Sequence, residues 1–244
     1  MPKNIFPQFV TWLKMSVPFL CLTIALTAQA QGFHPEGDSD IAKDGIWVDV
    51  AFAGTNTIST FRAKYNHSPD KVFEILTDTD SMAALHQGNY SDARTLDKAT
   101  FDKVAQAKPK SVEELLLIIG ETRLKSYHNR SKGSRWTDYT YSNFNFPWPL
   151  SNRWTVNEIK IDESGSLNGL YKFTFTMAVG NFTTTTGYWE LVPTPDGGTE
   201  FRGIYKSDPG IALPKFATKL GTKMAMKREY DENKATLKKR YGNK

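Results

Sequence analysis

The side chains able to do chemistry in this chain are few and scattered. Its four histidines, His34, His67, His86 and His128, share no metal-ligand spacing. His128 falls in an expected strand, where a surface or core role outweighs that of a general base. Cys21 is the only cysteine, so a disulfide and a thiolate metal site are both excluded. No G-x-S-x-G, H-E-x-x-H, Walker loop or G-x-G-x-x-G occurs. No metal, cofactor or catalytic residue is therefore expected. Two arginines are the polar candidates. Arg153 and Glu158 lie five apart on one strand, hence on opposite faces unless a bulge intervenes. A surface ion pair is the plain reading, and a buried pair orienting a polar ligand head the sharper one. Arg202 alternates with Phe201 and points either to solvent or inward, as an anchor for a carboxylate or phosphate.

The apolar candidates are more numerous. Trp136, Phe144, Phe146 and Trp148 cluster in one hairpin and its exit. Phe173, Phe175 and Met177 share one face of an alternating strand. Leu213, Phe216, Leu220 and Met224 recur at helical spacing. Two readings stay open: a filled core, or the lining of a cavity between a sheet and a helix. Burial rewards a large apolar side chain by roughly 1.5–3 kcal/mol whether a ligand or a neighbour covers it.

These residues must be positioned by the elements around them. The last helix is expected from about Leu213 to Arg240, opened by Pro214, whose missing N–H costs nothing there. Lys215, Lys219, Lys223 and Lys227 form a basic edge beside its apolar stripe. Upstream, Ile46–Phe52 and Thr57–Asn66 alternate as strands. Ser68-Pro69-Asp70 opens a helix, and Ser111-x-x-Glu114 is a capping box before Leu115–Ile119. Leu124–Arg130 and Arg135–Phe146 are expected to pair as a hairpin. Strands follow over 153–162, 171–179, 182–192 and 199–206, with a bulge expected between Val156 and Ile159. Strands joined by hairpins, with helices set apart, give an α+β layer architecture. A twisted antiparallel sheet curls around a helix laid across it, leaving room for a ligand.

Residues 1–30 are expected to be a secretory signal. Lys3 and Lys14 precede the apolar run Val17–Leu26, and Ala28-Gln29-Ala30 offers a cleavage site. The run is short for a membrane span. The protein is expected to be exported, periplasmic or secreted, with 31–45 as a flexible leader. The remaining +3 charge is too mild for nucleic acid. From Pro214 onward, however, ten basic residues face three acidic ones, which suits transient contact with an anionic membrane.

Three segments resemble the START-like superfamily of helix-grip proteins. Asn66–Asp78 resembles its first strand-to-helix corner. Pro147-Trp148-Pro149-Leu150-Ser151-Asn152-Arg153 resembles the strand entry of START lipid-binding domains, although Trp154 stands where an acid often follows. Asp208-Pro209-Gly210 with 211–239 resembles the closing helix. The resemblance implies one ligand-binding domain over 46–241, with 91–120 a helical insertion. It implies a curved antiparallel sheet wrapped around the long C-terminal helix, with an apolar cavity for a lipid, sterol or polyketide beneath. The lining is expected from Trp136, Phe144, Arg153, Phe173, Phe175, Met177, Arg202, Phe216, Leu220 and Met224. A monomeric binder or carrier is favoured. A cyclase or dehydratase, using Tyr139, Glu158 or Arg202 in the same cavity, is the alternative.

Overall fold

The computed structural model describes residues 38–243, apart from 87, 122, 126–127 and 147–150. The expected signal, most of the leader and Pro147-Trp148-Pro149-Leu150 lie outside the described residues. After a short helix α1 (Asp38–Asp44) come β1 (Ile46–Ala53) and β2 (Asn56–Tyr65). Helices α2 (Pro69–Leu76) and α3 (Thr79–Leu85) lead to β3 (Tyr90–Leu96), then α4 (Lys98–Ala107) and α5 (Val112–Ile119). The strands β4 (Arg135–Phe144), β5 (Arg153–Asp162), β6 (Tyr171–Gly180), β7 (Thr184–Pro193) and β8 (Thr199–Asp208) precede α6 (Lys215–Tyr241).

All eight strands form one antiparallel sheet in the order β1-β2-β8-β7-β6-β5-β4-β3. The sheet curves but does not close, and α6 lies across its open side, the helix-grip α+β arrangement.

Local signals set the helix starts. Ser68 sits in extended backbone with Pro69 at the first turn of α2. The Ser111 hydroxyl accepts the Glu114 N–H, and the Glu114 carboxylate accepts the Lys110 N–H. Gly120, at a φ of 63°, ends α5.

One expected strand is corrected. Leu124–Arg130 is not the hairpin partner of β4; Leu124 makes a single bridge to Thr95, and 128–134 are mostly turn. The partner is β3, so residues 91–96 belong to the sheet rather than to a helical insertion. The bulge expected within β5 is not there, since its pairing with β4 is unbroken; the β5–β6 register does shift between Val156 and Asn157, but the extra residue is Ala178 of β6. Plain alternation lets β5 bury both faces over its first half. Val156 packs outward under α4 and α5, whereas Ile161 packs inward.

Two cores result. The outer one joins Phe101, Val104, Leu115 and Ile119 to Tyr139, Tyr141 and Trp154. The inner one fills one end of the concave face with Phe61, Tyr65, Leu191 and Phe201, capped by Val72 and Phe73 of α2 and by Tyr230 and Leu237 of α6.

Candidate functional site

The concave face changes character along the strands. Toward α2 it is the dry core just described. Toward the N-terminal half of α6 the inward residues become small or polar. Ser59 stands opposite Tyr205, and Tyr205 opposite Gly187; Asn157 stands opposite Met177, and Ser142 opposite Thr155. Gly187 and Gly203 are required here. A Cβ at Gly187 would collide with the Phe175 ring, and one at Gly203 would lie 2.6 Å from Trp189 Cδ1. The two gaps let these aromatic rings lie flat across the strands, with ring centroids 4.7 Å apart.

Over this zone α6 forms a roof. Its main contacts are with β1, β2 and α2. Lys215 lies over the Phe52 ring, and the Tyr230 hydroxyl donates to the Lys64 carbonyl at 3.0 Å. At the far edge the loop after α3 meets α6: Arg228 donates to the Gly88 carbonyl at 3.3 Å, and His86 Nδ1 lies 3.0 Å from Glu232 Oε2.

Tyr90, Tyr205 and Glu229 mark the space between roof and sheet. Each is enveloped by protein, yet each keeps accessible surface. Groups in the filled core have no such surface, and this partial exposure is what a gap between sheet and helix would give. Burial pushes the Glu229 carboxyl up to about 7, with the Glu232 charge adding to it. Burial also drives the Tyr205 phenol up to about 12 and the Tyr90 phenol well above its ordinary value. His86 is held below its ordinary value by burial, which favours the neutral ring. Phe144 lies against Tyr90 at 5.1 Å and Phe182 at 5.9 Å, closing one side. Among the described residues the Trp189 indole N–H has no partner, nor do the buried Ser59 hydroxyl and the Asn157 side-chain oxygen. Unsatisfied polar atoms on one face are what a ligand would pair.

The expected lining residues divide into four groups. Phe175 and Met177 lie on the concave face, and Phe144 packs against Tyr90. Phe173 belongs to the inner core, stacked on Phe73 at 5.7 Å. Trp136 is core as well, because its indole N–H donates to the fully buried Glu163 carboxylate at 2.8 Å, which Arg130 holds through two bonds. Arg153 ties the start of β5 to the chain before α6, donating to the Pro209 carbonyl at 2.9 Å and the Ser151 hydroxyl at 2.8 Å. Its expected partner Glu158 is on the convex face beside Lys160.

Arg202 and the helix stripe need correction. Arg202 lies on the convex face and donates to Glu190 at 2.6 Å, because Phe201 takes the inward position. Phe216, Leu220 and Met224 are 77%, 59% and 60% exposed. The face of α6 turned to the sheet carries Met226, Tyr230, Asn233 and Leu237, about a third of a turn of the helix away. His128 is exposed in a turn, and Tyr139 packs on Phe101 in the outer core.

Sequence reasoning missed Glu229, Tyr90, Tyr205, Trp189 and Ser59. The 4-3-4 spacing of Met226, Tyr230, Asn233 and Leu237 carried a signal for the buried face, and Glu229 adjoins it. Among the described residues no group of three or more metal-ligating side chains comes together, and no helix is long and apolar enough to cross a membrane.

The fold is of the START-like, helix-grip class. Among solved structures the chain is similar to the human StarD13 (DLC2) lipid transfer and protein localization domain, at 10% identity and a TM-score of 0.53, covering 93% of this chain and 98% of that one. It is also similar to a STAR-related lipid transfer protein from Xanthomonas axonopodis, at 15% identity, TM-score 0.48, and 80% and 99% coverage. A third is the Zhui aromatase/cyclase from Streptomyces sp. R1128, at 8% identity, TM-score 0.47, and 76% and 95% coverage. No family model and no curated protein matches the sequence.

Proposed function

We propose that this protein binds one hydrophobic or amphipathic small molecule, of the lipid kind, in the hollow between the sheet and α6. The carrying observation is that Tyr90, Tyr205 and Glu229 are enclosed yet keep accessible surface. A gap floored by Phe175 and Met177 and rimmed by polar groups suits a molecule with an apolar body and a polar end. The lipid-transfer domain of StarD13 shares this fold and supports the same reading.

The expected export belongs to this proposal, with the chain acting as a monomer outside the cytoplasm. So does membrane contact: Phe216, Leu220 and Met224 form an exposed apolar stripe beside Lys223 and Lys227, a surface suited to anionic bilayers during loading.

The test is native mass spectrometry of the purified protein after incubation with a lipid extract. One bound molecule per chain, displaced by a fluorescent lipid in the same ratio, supports the reading. A protein that stays empty and takes up no lipid refutes it. One observation favours a second reading, an acid–base enzyme of the cyclase kind. Glu229, held near neutrality beside two tyrosines, could move a proton on a bound substrate. Chemical change in a recovered ligand, lost in Glu229→Gln, would favour that reading.

A further inference from the structure

We infer that the hollow takes a ligand whose polar end is a cation, an ammonium group on an apolar body, with Glu229 as its counter-charge. This rests on the binding function proposed above. Glu229 sits in the middle of α6 beside the buried Tyr230, and its carboxylate accepts a long hydrogen bond from Asn89, at 3.5 Å. The charges facing it do not neutralise it. Glu232, one turn on, is also acidic and stands against the largely neutral His86. Arg228 turns to the Gly88 carbonyl, and its charge acts on Glu232. Among the described residues no lysine or arginine nitrogen forms an ion pair with the Glu229 carboxylate, whose side-chain partner is Asn89. An enclosed acid without a counter-ion is costly, and a cationic ligand would remove that cost.

The surroundings fit the same head. Tyr90 and Tyr205 both lie within electrostatic reach of Glu229. Phe144 flanks Tyr90, and Phe175 stacks near Tyr205 at 5.6 Å. Aromatic faces around a carboxylate make a cage for an ammonium ion. Two acceptors without partners among the described residues share this face: the fully buried Ser59 hydroxyl, directly across from Tyr205, and the Asn157 side-chain oxygen. The two nearby arginines do not offer an anionic head a free charge. Arg153 is engaged with Pro209 and Ser151, and Arg202 lies outside with Glu190.

The test is calorimetric titration of the delipidated protein with dodecyltrimethylammonium, dodecanoate and dodecanol, each below its micelle concentration. At about pH 8 the ammonium compound should bind at least about tenfold more tightly than the other two. Its charge is fixed, so a rise in its affinity of about tenfold from pH 6 to pH 8 would report ionisation of an acid near 7 on the protein. Glu229→Gln should abolish both the preference and the pH dependence, leaving an affinity close to that for dodecanol. Equal or tighter binding of dodecanoate or dodecanol overturns the inference while leaving the binding function intact. So does an ammonium preference that survives Glu229→Gln. No binding of any of the three overturns both. The series on the unsubstituted protein does not depend on how the variant folds.

Discussion

Replacing Glu229 by Gln should stabilise the protein, and only at neutral to alkaline pH. The folded carboxyl titrates at about 7 against an ordinary 4.5, raised first by burial and then by Glu232. Between those values the folded state binds a proton that the unfolded chain releases. Stability therefore falls as pH rises from about 4.5 to about 7, and levels off above that. A shift of this size corresponds to about 3 kcal/mol at most. Because Glu229 keeps some contact with solvent, about 1–3 kcal/mol is the working range. Gln has the same shape and no charge. The variant should gain that amount at about pH 8 and almost nothing at about pH 5. Urea denaturation of delipidated protein at both pH values measures it. Asp138, which burial raises to about 6, adds a slope of the same sign, so the quantity of interest is variant minus wild type at each pH. An equal effect at both pH values, or destabilisation at about pH 8, would refute the enclosed position of Glu229.

Further predictions concern the parts around the hollow. Glu163→Ala removes the acceptor for the Trp136 indole and the partner of Arg130 deep in the fold. It should cost about 3–5 kcal/mol in denaturant titration. Gly187→Ala drives a methyl group into the Phe175 ring and should cost about 1–3 kcal/mol, with a change in near-ultraviolet circular dichroism. Phe216→Ser and Met224→Ser, on the exposed stripe, should each change stability by less than about 0.5 kcal/mol while weakening binding to anionic vesicles.

Much of the fold was legible because its signals are local. Proline and serine at the start of α2, the capping box of α5 and the clean alternation of β6 each depend on a few neighbouring residues. Strand β3 was not legible. Its sequence Tyr90-Ser91-Asp92-Ala93-Arg94 is polar at an edge. The buried Arg94 is satisfied by Asp92 and the Gly120 carbonyl, a partner far along the chain. Leu124–Arg130 alternates like a strand, but both edges of β4 are taken, by β3 and β5. The C-terminal helix was read in position but not in phase. Hydrophobicity favours the Phe216, Leu220 and Met224 stripe, whereas the buried stripe contains Tyr230 and Asn233, whose partners Lys64 and Tyr65 lie on β2, and Thr236. The same limit hid Glu229. A carboxylate on a charged helix looks like a solvated residue until the tertiary structure encloses it. Arg202 failed for a simpler reason, since alternation leaves open which parity faces inward until the sheet is assembled.

The account depends most on where a guest sits. Photo-crosslinking with a diazirine-bearing alkyl amphiphile, followed by peptide mass spectrometry, locates it directly. Labels on Met177, Trp189, Tyr205 or Glu229 are the predicted result. Labels confined to Phe216, Leu220 and Met224, or spread evenly over the surface, would contradict a ligand site beneath the helix.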